Sequence, residues 1–325
     1  MREISYSRAI NEALRQAMDS DPAVVLLGQD VGVYGGAFAV TRGLIETFGP
    51  ERIVDTPISE AATAGMLLGM ALKGLRPAIE LQFADFIFIA MDEVVNKLGK
   101  WRYMHNYHGP LCAVIRAPMG LIPGVGAEHV QCPEAFFMHV PGLKIAVPAT
   151  PYDAKGLLLS ALRGNDPVLY FEHKGMYRVK GPVPEEAYTV PFGVAEVRRS
   201  GTDITIVATS AMVSKALAAA ETLASQGIQA EVIDPRTLAP LDSETILRSV
   251  RKTGRLVIVH ENTFTAGPGA EIAALVAERA FDSLLGPIRR ITAPDAPAPA
   301  SRALDTYYVP DEAAIVAGVL AAIKD

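Results

Sequence analysis

The stretch that most constrains this chain covers residues 52–72. Arg52-Ile53-Val54 reads as the end of a buried strand, Asp55-Thr56-Pro57-Ile58-Ser59 as a turn, and residues 61–72 as a helix without a charge. A helix that is apolar nearly all round has little surface to give to water and is expected to be buried. A strand that runs into such a helix belongs to a layered fold of sheets covered by helices. At the junction stand Ser59, a candidate N-cap, and Glu60 in the first helical turn. Position alone leaves two readings of Glu60 open. An acid in a first turn ordinarily complements the positive end of the helix dipole. One enclosed in a pocket at the end of a buried strand can instead exchange a proton with a ligand.

The alternation of short apolar strands with helical patterns continues along all 325 residues, the signature of mostly parallel sheets. Residues 7–18 are amphipathic, with Ile10, Leu14 and Ala17 on one face, and 23–28 and 77–82 read as strands. Residues 86–102 are predicted helical, with Met91, Val94, Val95 and Leu98 at helical spacing. Strands are expected over 111–115, 143–147 and 167–171, and Pro151 opens a helix that reaches Leu162. Residues 174–191 carry glycines and prolines with few aliphatic side chains and read as a linker. A second α/β unit follows, with strands over 204–208, 230–233 and 256–259 and helices over 212–226, 270–281 and 311–323. The expectation is two three-layer α/β domains with mostly parallel sheets, over residues 1–178 and 196–325, joined by a linker at 179–195.

Half of the residues are hydrophobic, and the mean hydropathy of +0.23 is high for a soluble monomer, which implies apolar surface buried against other chains. No run approaches the ~18 apolar residues of a membrane span, so no membrane partner is expected. Residues 1–6 lack a secretory hydrophobic segment, and a cytoplasmic location is expected. A net charge of −6 argues against general nucleic-acid binding. Cys112 and Cys132 are too few for a disulfide framework or a zinc cluster, and His129 with Cys132 would not close a metal site. No phosphate loop, dinucleotide fingerprint or nucleophile elbow is present. Gly120, Gly124 and Gly126 form a glycine-rich loop that Pro123 interrupts. Of the six histidines only His129 lies in that loop, where it could donate to a carboxylate or a sulfur, or simply face solvent.

Motifs recur in order over nearly the whole chain: Gly28-Gln29-Asp30-Val31-Gly32, Thr41-Arg42-Gly43-Leu44, Asp55 to Glu60, Gly74-Leu75-Arg76-Pro77, and Gly126-Ala127-Glu128-His129-Val130-Gln131-Cys132. Pro141-Gly142-Leu143-Lys144, Pro151-Tyr152-Asp153-Ala154-Lys155-Gly156 and Asn165-Asp166-Pro167-Val168 follow, then Asp234-Pro235-Arg236-Thr237-Leu238-Ala239-Pro240 and Lys252-Thr253-Gly254-Arg255. In this order they resemble the β subunits of the thiamine-diphosphate-dependent first component of 2-oxo acid dehydrogenase complexes, of the pyruvate, branched-chain or acetoin type. The resemblance implies a pyrimidine-binding domain followed by a transketolase-like C-terminal domain. It implies an α2β2 tetramer with thiamine diphosphate held between an α and a β chain. The diphosphate and Mg2+ would rest on α, and this chain lacks the Gly-Asp-Gly…Asn motif that holds them. By the same resemblance Glu60 is the catalytic carboxyl that hydrogen-bonds a pyrimidine nitrogen and so lets the ring deprotonate the carbon that attacks the 2-oxo acid. Ile58, Gln82 and Phe86 would line the ring, although Phe86 taken alone reads equally as core packing. His129 would position substrate and serve acyl transfer to a lipoyl group. Ala113, Ala161, Leu162, Gly164 and Asp166 match a monovalent-cation (K+) site, or else a plain helix end. The acyltransferase component would dock through its peripheral-subunit-binding domain near Asp295 and Asp325. One position departs from the pattern: relatives usually carry Glu where this chain has Gln29, which puts proton communication between paired sites in doubt.

Two other readings compete. A split transketolase or deoxyxylulose-phosphate synthase half would need basic residues for a sugar phosphate, and the loop around His129 is not basic. A scaffold that only docks the acyltransferase has no need of Glu60 or His129.

Overall fold

In the computed structural model, which describes residues 2–324, one unit comprises the chain up to Met119 together with Phe136–Phe192, and the other comprises Gly120–Ala135 together with the chain from Gly193 onward. The strands of the first unit are β1 (Arg2–Ser5), β2 (Val24–Gly28), β3 (Ile53–Asp55), β4 (Arg76–Glu80), β5 (Ala113–Met119), β6 (Lys144–Ala146), β7 (Pro167–His173) and β8 (Lys180–Val183). Its main sheet runs β6-β7-β5-β4-β2-β3, with every pair parallel. Every residue of β2, β5 and β7 is buried, as expected of parallel strands covered on both faces. Helices Tyr6–Ser20 and Pro151–Arg163 pack on each other, and Glu60–Leu72 packs beside β4 and β5.

A charged thread crosses this sheet. Arg116 on β5, fully buried, donates to Glu80 at the end of β4 and to Glu172 on β7, each at 2.6 Å. Burial works against the guanidinium charge, but Glu172 and Glu80 together hold its pKa above the ordinary value. Burial pushes Glu172 up to about 7, against the pull of Arg116. Removing one member of such a network leaves an uncompensated buried charge and costs about 3–5 kcal/mol.

The second unit holds β9 (Glu196–Arg199), β10 (Ile204–Ala208), β11 (Ala230–Asp234), β12 (Thr237–Ala239), β13 (Leu256–Thr263) and β14 (Arg289–Ala293). Its sheet runs β14-β13-β10-β11-β9, parallel except for β9. Val207, Ile233, Ile246, Leu247, Val250 and Ile258 form the core beneath helices Ser243–Thr253 and Pro268–Arg279.

Four expectations change. Residues 86–102 are not one α-helix but a 3-10 helix (Ala84–Ala90), a π-helix (Asp92–Leu98) and a short α-helix (Trp101–Met104). The stretch read as a linker contains β8, which pairs antiparallel with β1 and is held by main-chain bonding that composition does not reveal. Residues 120–135 pack with the second unit rather than the first: Leu121 N–H donates to the Glu261 carboxylate, Gly124 N–H to Asp305 at 3.1 Å, and Asn262 to the Cys132 carbonyl at 2.7 Å. The stretch Arg302–Lys324 is long and apolar enough to cross a membrane by length and composition alone. It is broken into helices Arg302–Tyr308 and Glu312–Lys324, and the buried Ile315, Val319 and Ala322 lie on the second, which packs against helix Met212–Ser225, β13 and β14.

Candidate active site

The carboxyl ends of parallel strands are where an open α/β sheet leaves a crevice for ligands. Gly28 at the end of β2 lies opposite both Asp55 of β3 and Glu80 of β4, so these three strands end level. Gln29, the turn from Thr56 to Ser59, and the segment from Leu81 to Phe86 all leave the sheet from that edge. The Thr56 N–H donates to the Gly28 carbonyl at 2.9 Å, tying the turn to the end of β2. A Cβ at Gly28 would lie 2.7 Å from the Glu80 carbonyl oxygen, so the backbones of β2 and β4 approach as only glycine permits.

Glu60 begins its helix and is 6% exposed. Ser59 occupies the N-cap position, but its side chain makes no capping hydrogen bond. Glu60 Oε1 accepts from Gln29 Nε2 at 3.2 Å, its one side-chain partner among the described residues. Ile58, two residues before, is 81% exposed, a large apolar side chain beside a buried acid. Gln82 is half-buried just past β4. Phe86 is half-buried and meets Phe83 edge-on at 5.7 Å, and Phe83 meets Phe38 at 5.6 Å. Ile58, Glu60, Gln82 and Phe86 all lie just past the carboxyl ends of β3 and β4, and Gln29, just past β2, is hydrogen-bonded to the acid.

The helix after Glu60 differs from the expectation of complete burial. Thr63, Ala64, Leu67, Leu68 and Ala71 are buried, whereas Ala61, Ala62, Met66 and Gly69 are exposed on the opposite side. The apolar sequence covers a face that this chain alone leaves open.

His129 lies in the loop of the second unit, half-buried, where its N–H donates to the Gly126 carbonyl at 3.3 Å. Nearby in that unit, burial pushes the Tyr308 hydroxyl up to about 12, with Cys132 and Glu261 adding to the effect.

The five residues matched to a monovalent cation are differently engaged. Arg76 Nε donates to the Leu162 carbonyl at 2.8 Å, and its Nη2 donates to the Gly164 carbonyl. The Cys112 thiol faces the carbonyls of Ala161 and Leu162 at 3.6 Å, and burial pushes its pKa up to about 11. The Asp166 carboxylate meets Lys144 at 2.7 Å and Arg102 at 3.4 Å, and Ala113 pairs with Pro167 in the sheet. A guanidinium already stands at the Leu162 and Gly164 carbonyls, and Lys144 and Arg102 at Asp166, so a bare cation does not fit the set as it is arranged. The sequence carried a signal for this in Arg76, the lone cation of its strand, but nothing local pointed it at residues 162 and 164. Among the described residues no group of three or more His, Cys, Asp or Glu could hold a metal ion.

For an aminopyrimidine, the residues present do fit. The site offers a buried carboxyl with a single partner, an exposed aliphatic side chain, an amide and a half-buried ring on one strand edge. It offers no glycine-rich helix start for a diphosphate.

The transketolase pyrimidine-binding domain matches residues 2–180 and the transketolase C-terminal domain matches residues 193–315. The acetoin:2,6-dichlorophenolindophenol oxidoreductase subunit beta of Bacillus subtilis is 45% identical over 98% of this chain and 97% of its own. The 2-oxoisovalerate dehydrogenase subunit beta of the same organism is 45% identical over 95% of each chain, and its pyruvate dehydrogenase E1 component subunit beta is 42% identical over 96% of each. Among solved structures, a split-gene transketolase described as an inactive beta4 tetramer superimposes with a TM-score of 0.82 at 25% identity, covering 99% of this chain and 98% of that one.

Proposed function

Since the chain belongs to the transketolase-like family, and within it to the E1 β subunits of 2-oxo acid dehydrogenase complexes, we propose that it forms half of a thiamine-diphosphate site and is active only when an α subunit supplies the other half. The observation that carries this reading is Glu60, a buried carboxyl with one partner, flanked by the exposed Ile58 and the open face of its own helix. Such a site is complete on the acid side and unfinished on the apolar side. The solved relative described as an inactive beta-only tetramer is consistent with that incompleteness.

When bound, thiamine diphosphate supplies the carbon nucleophile and the electron sink for loss of carbon dioxide. This chain's residues would hold its pyrimidine. Glu60 would pass a proton to and from a ring nitrogen, and Ile58, Gln82 and Phe86 would form the wall. The diphosphate and Mg2+ would fall to the α chain of an α2β2 tetramer, in keeping with the lack, among the described residues, of any group of three or more His, Cys, Asp or Glu that could hold a metal ion. His129 would orient the substrate carboxylate or the lipoyl sulfur, the disulfide acceptor of the acyl group. The acyltransferase component would dock through its peripheral-subunit-binding domain on the second unit near Asp295, an exposed carboxylate whose pKa is held low by hydrogen bonds from Thr265. Asp325, the other acid named for that contact, lies outside the described residues. The proposed setting is the cytoplasm. The substrate is a small 2-oxo acid, pyruvate or a branched-chain one, with acetoin as the alternative, since the relatives of all three types match almost equally.

The test is co-expression with an α subunit and a kcat/KM panel over pyruvate, branched-chain 2-oxo acids and acetoin. The chain alone should be inactive and the pair active. Glu60→Gln should lower turnover by about 10²- to 10⁴-fold, the usual contribution of a positioned acid–base group, with the assembly intact by gel filtration. Full activity in that variant would sink the reading. Turnover of sugar phosphates instead of 2-oxo acids would favour the split-transketolase alternative.

A further inference from the structure

Residues 120–131 form a closed loop of the second unit, since the Gly120 N–H donates to the Gln131 carbonyl at 3.4 Å and brings the two ends together. His129 lies within it. Three side chains of the same unit fasten this stretch, all through its main chain. Glu261 accepts from the Leu121 N–H, Asp305 Oδ2 accepts from the Gly124 N–H at 3.1 Å, and Asn262 donates to the Cys132 carbonyl at 2.7 Å. Glu261 and Asn262 belong to β13, whereas Asp305 comes from helix Arg302–Tyr308, 181 residues along the chain from Gly124. Asp305 is the buried residue of that helix, 5% exposed between the exposed Leu304 and Thr306. Its Oδ1 has no hydrogen-bond partner among the described residues. The two segments meet closely: Gly124 has a φ of +81°, and a Cβ there would lie 3.2 Å from Arg302 Nε.

Burying a carboxyl away from water costs free energy that its hydrogen bonds must offset. The bond that Asp305 makes is to the main chain of the loop that carries His129. Resting on the function proposed above, we infer that Asp305 is a positioning residue for His129, which it serves by holding the loop at Gly124. The other two fasteners act at Leu121 and Cys132, beside the closure of the loop. Asp305 reaches further in and so limits how far the stretch between Gly124 and His129 can swing. A bond to the main chain places no demand on the loop's own side chains, so the histidine can be fixed in place without taking part in the fastening. Such fixing matters because a displacement of about 1 Å at a reacting group can cost about 100-fold in rate, and a site on a loop depends on the shell that supports it.

The experiment compares the αβ complex of the wild type with Asp305→Ala, Asp305→Asn, His129→Ala and the double variant Asp305→Ala/His129→Ala. Two quantities are read: amide hydrogen–deuterium exchange over residues 120–131, and kcat/KM for acyl transfer from a 2-oxo acid to a lipoylated domain. Loss of the hydrogen bond predicts exchange about 10- to 100-fold faster in Asp305→Ala, and kcat/KM lower by a similar factor. Asp305→Asn keeps an acceptor oxygen and should hold both within about threefold of the wild type. Where His129 is already removed, Asp305→Ala should cost no further activity, because a residue that acts only through another is fully coupled to it. Wild-type exchange in Asp305→Ala overturns the inference. So do additive losses in the double variant, since that pattern belongs to a merely structural role. Should the alanine variant assemble poorly, the wild-type complex supplies the readout. The Gly124 amide must then exchange more slowly, relative to its intrinsic rate, than those of residues 125–128, and equal rates overturn the inference. His129→Ala separates the two levels. If it turns over like the wild type, the role of His129 in the proposed function fails and takes the inference with it. If it is impaired while Asp305→Ala keeps wild-type exchange and turnover, only the positioning role fails.

Discussion

His260 shows how far burial alone can move a single residue. It sits in β13 with no solvent exposure, its ring pressed against Gly267 and Gly269 at the start of the next helix. Desolvation lowers its pKa from 6.5 to about 4, against an opposing pull from the Asn262 backbone. The folded state therefore holds fewer protons than the unfolded chain between those values, and the stability present above pH 6.5 is lost as the pH falls toward 4. The loss from His260 is about 3 kcal/mol. Glu172 acts with the opposite sign, because its raised value makes the folded state the better proton binder below about pH 7. The His260 contribution is thus the difference in urea unfolding free energy between the wild type and His260→Gln, which should change by that amount between pH 7 and pH 4. At Arg76 a second outcome is expected. With a guanidinium at the Leu162 and Gly164 carbonyls, replacing sodium by potassium in the buffer should leave the unfolding temperature unchanged. A rise specific to potassium would show that a cation enters beside it.

Among the elements, the helix Glu60–Leu72 is the informative one. Its composition calls for burial on every side, yet Ala61, Ala62, Met66 and Gly69 face outward. An open apolar face of this kind is what the proposed α subunit would cover. Met66→Glu therefore should change the stability of the isolated chain by less than about 0.5 kcal/mol, as exposed substitutions do, while abolishing co-purification with the α subunit. A variant that still assembles would locate the interface elsewhere. The 84–98 region shows where periodicity misleads: Val94 and Leu98 do lie buried at helical spacing, but the backbone holds them in a π-helix after a 3-10 turn. Side-chain spacing reports which positions face inward, not which carbonyl each N–H selects.

At the scale of the whole molecule, the two α/β units and their largely parallel sheets were legible because each strand and helix leaves a local apolar pattern. The antiparallel β1–β8 pair and edge strands β9 and β14 were not, since short half-exposed strands carry little such pattern. The kind of fold, the order of the family motifs and the presence of an acid in the first turn of the helix after β3 were readable in the chain. These properties are written in neighbouring residues. Only the tertiary structure decided that Gln29 meets Glu60 from 31 residues away, that Arg76 reaches carbonyls 86 and 88 residues on, and that the loop carrying His129 belongs with the second unit. Each of these depends on strand order and register, which place residues side by side whatever their separation along the chain. The same cause leaves Glu60 buried against Gln29 while Ile58 and one face of the following helix stay exposed.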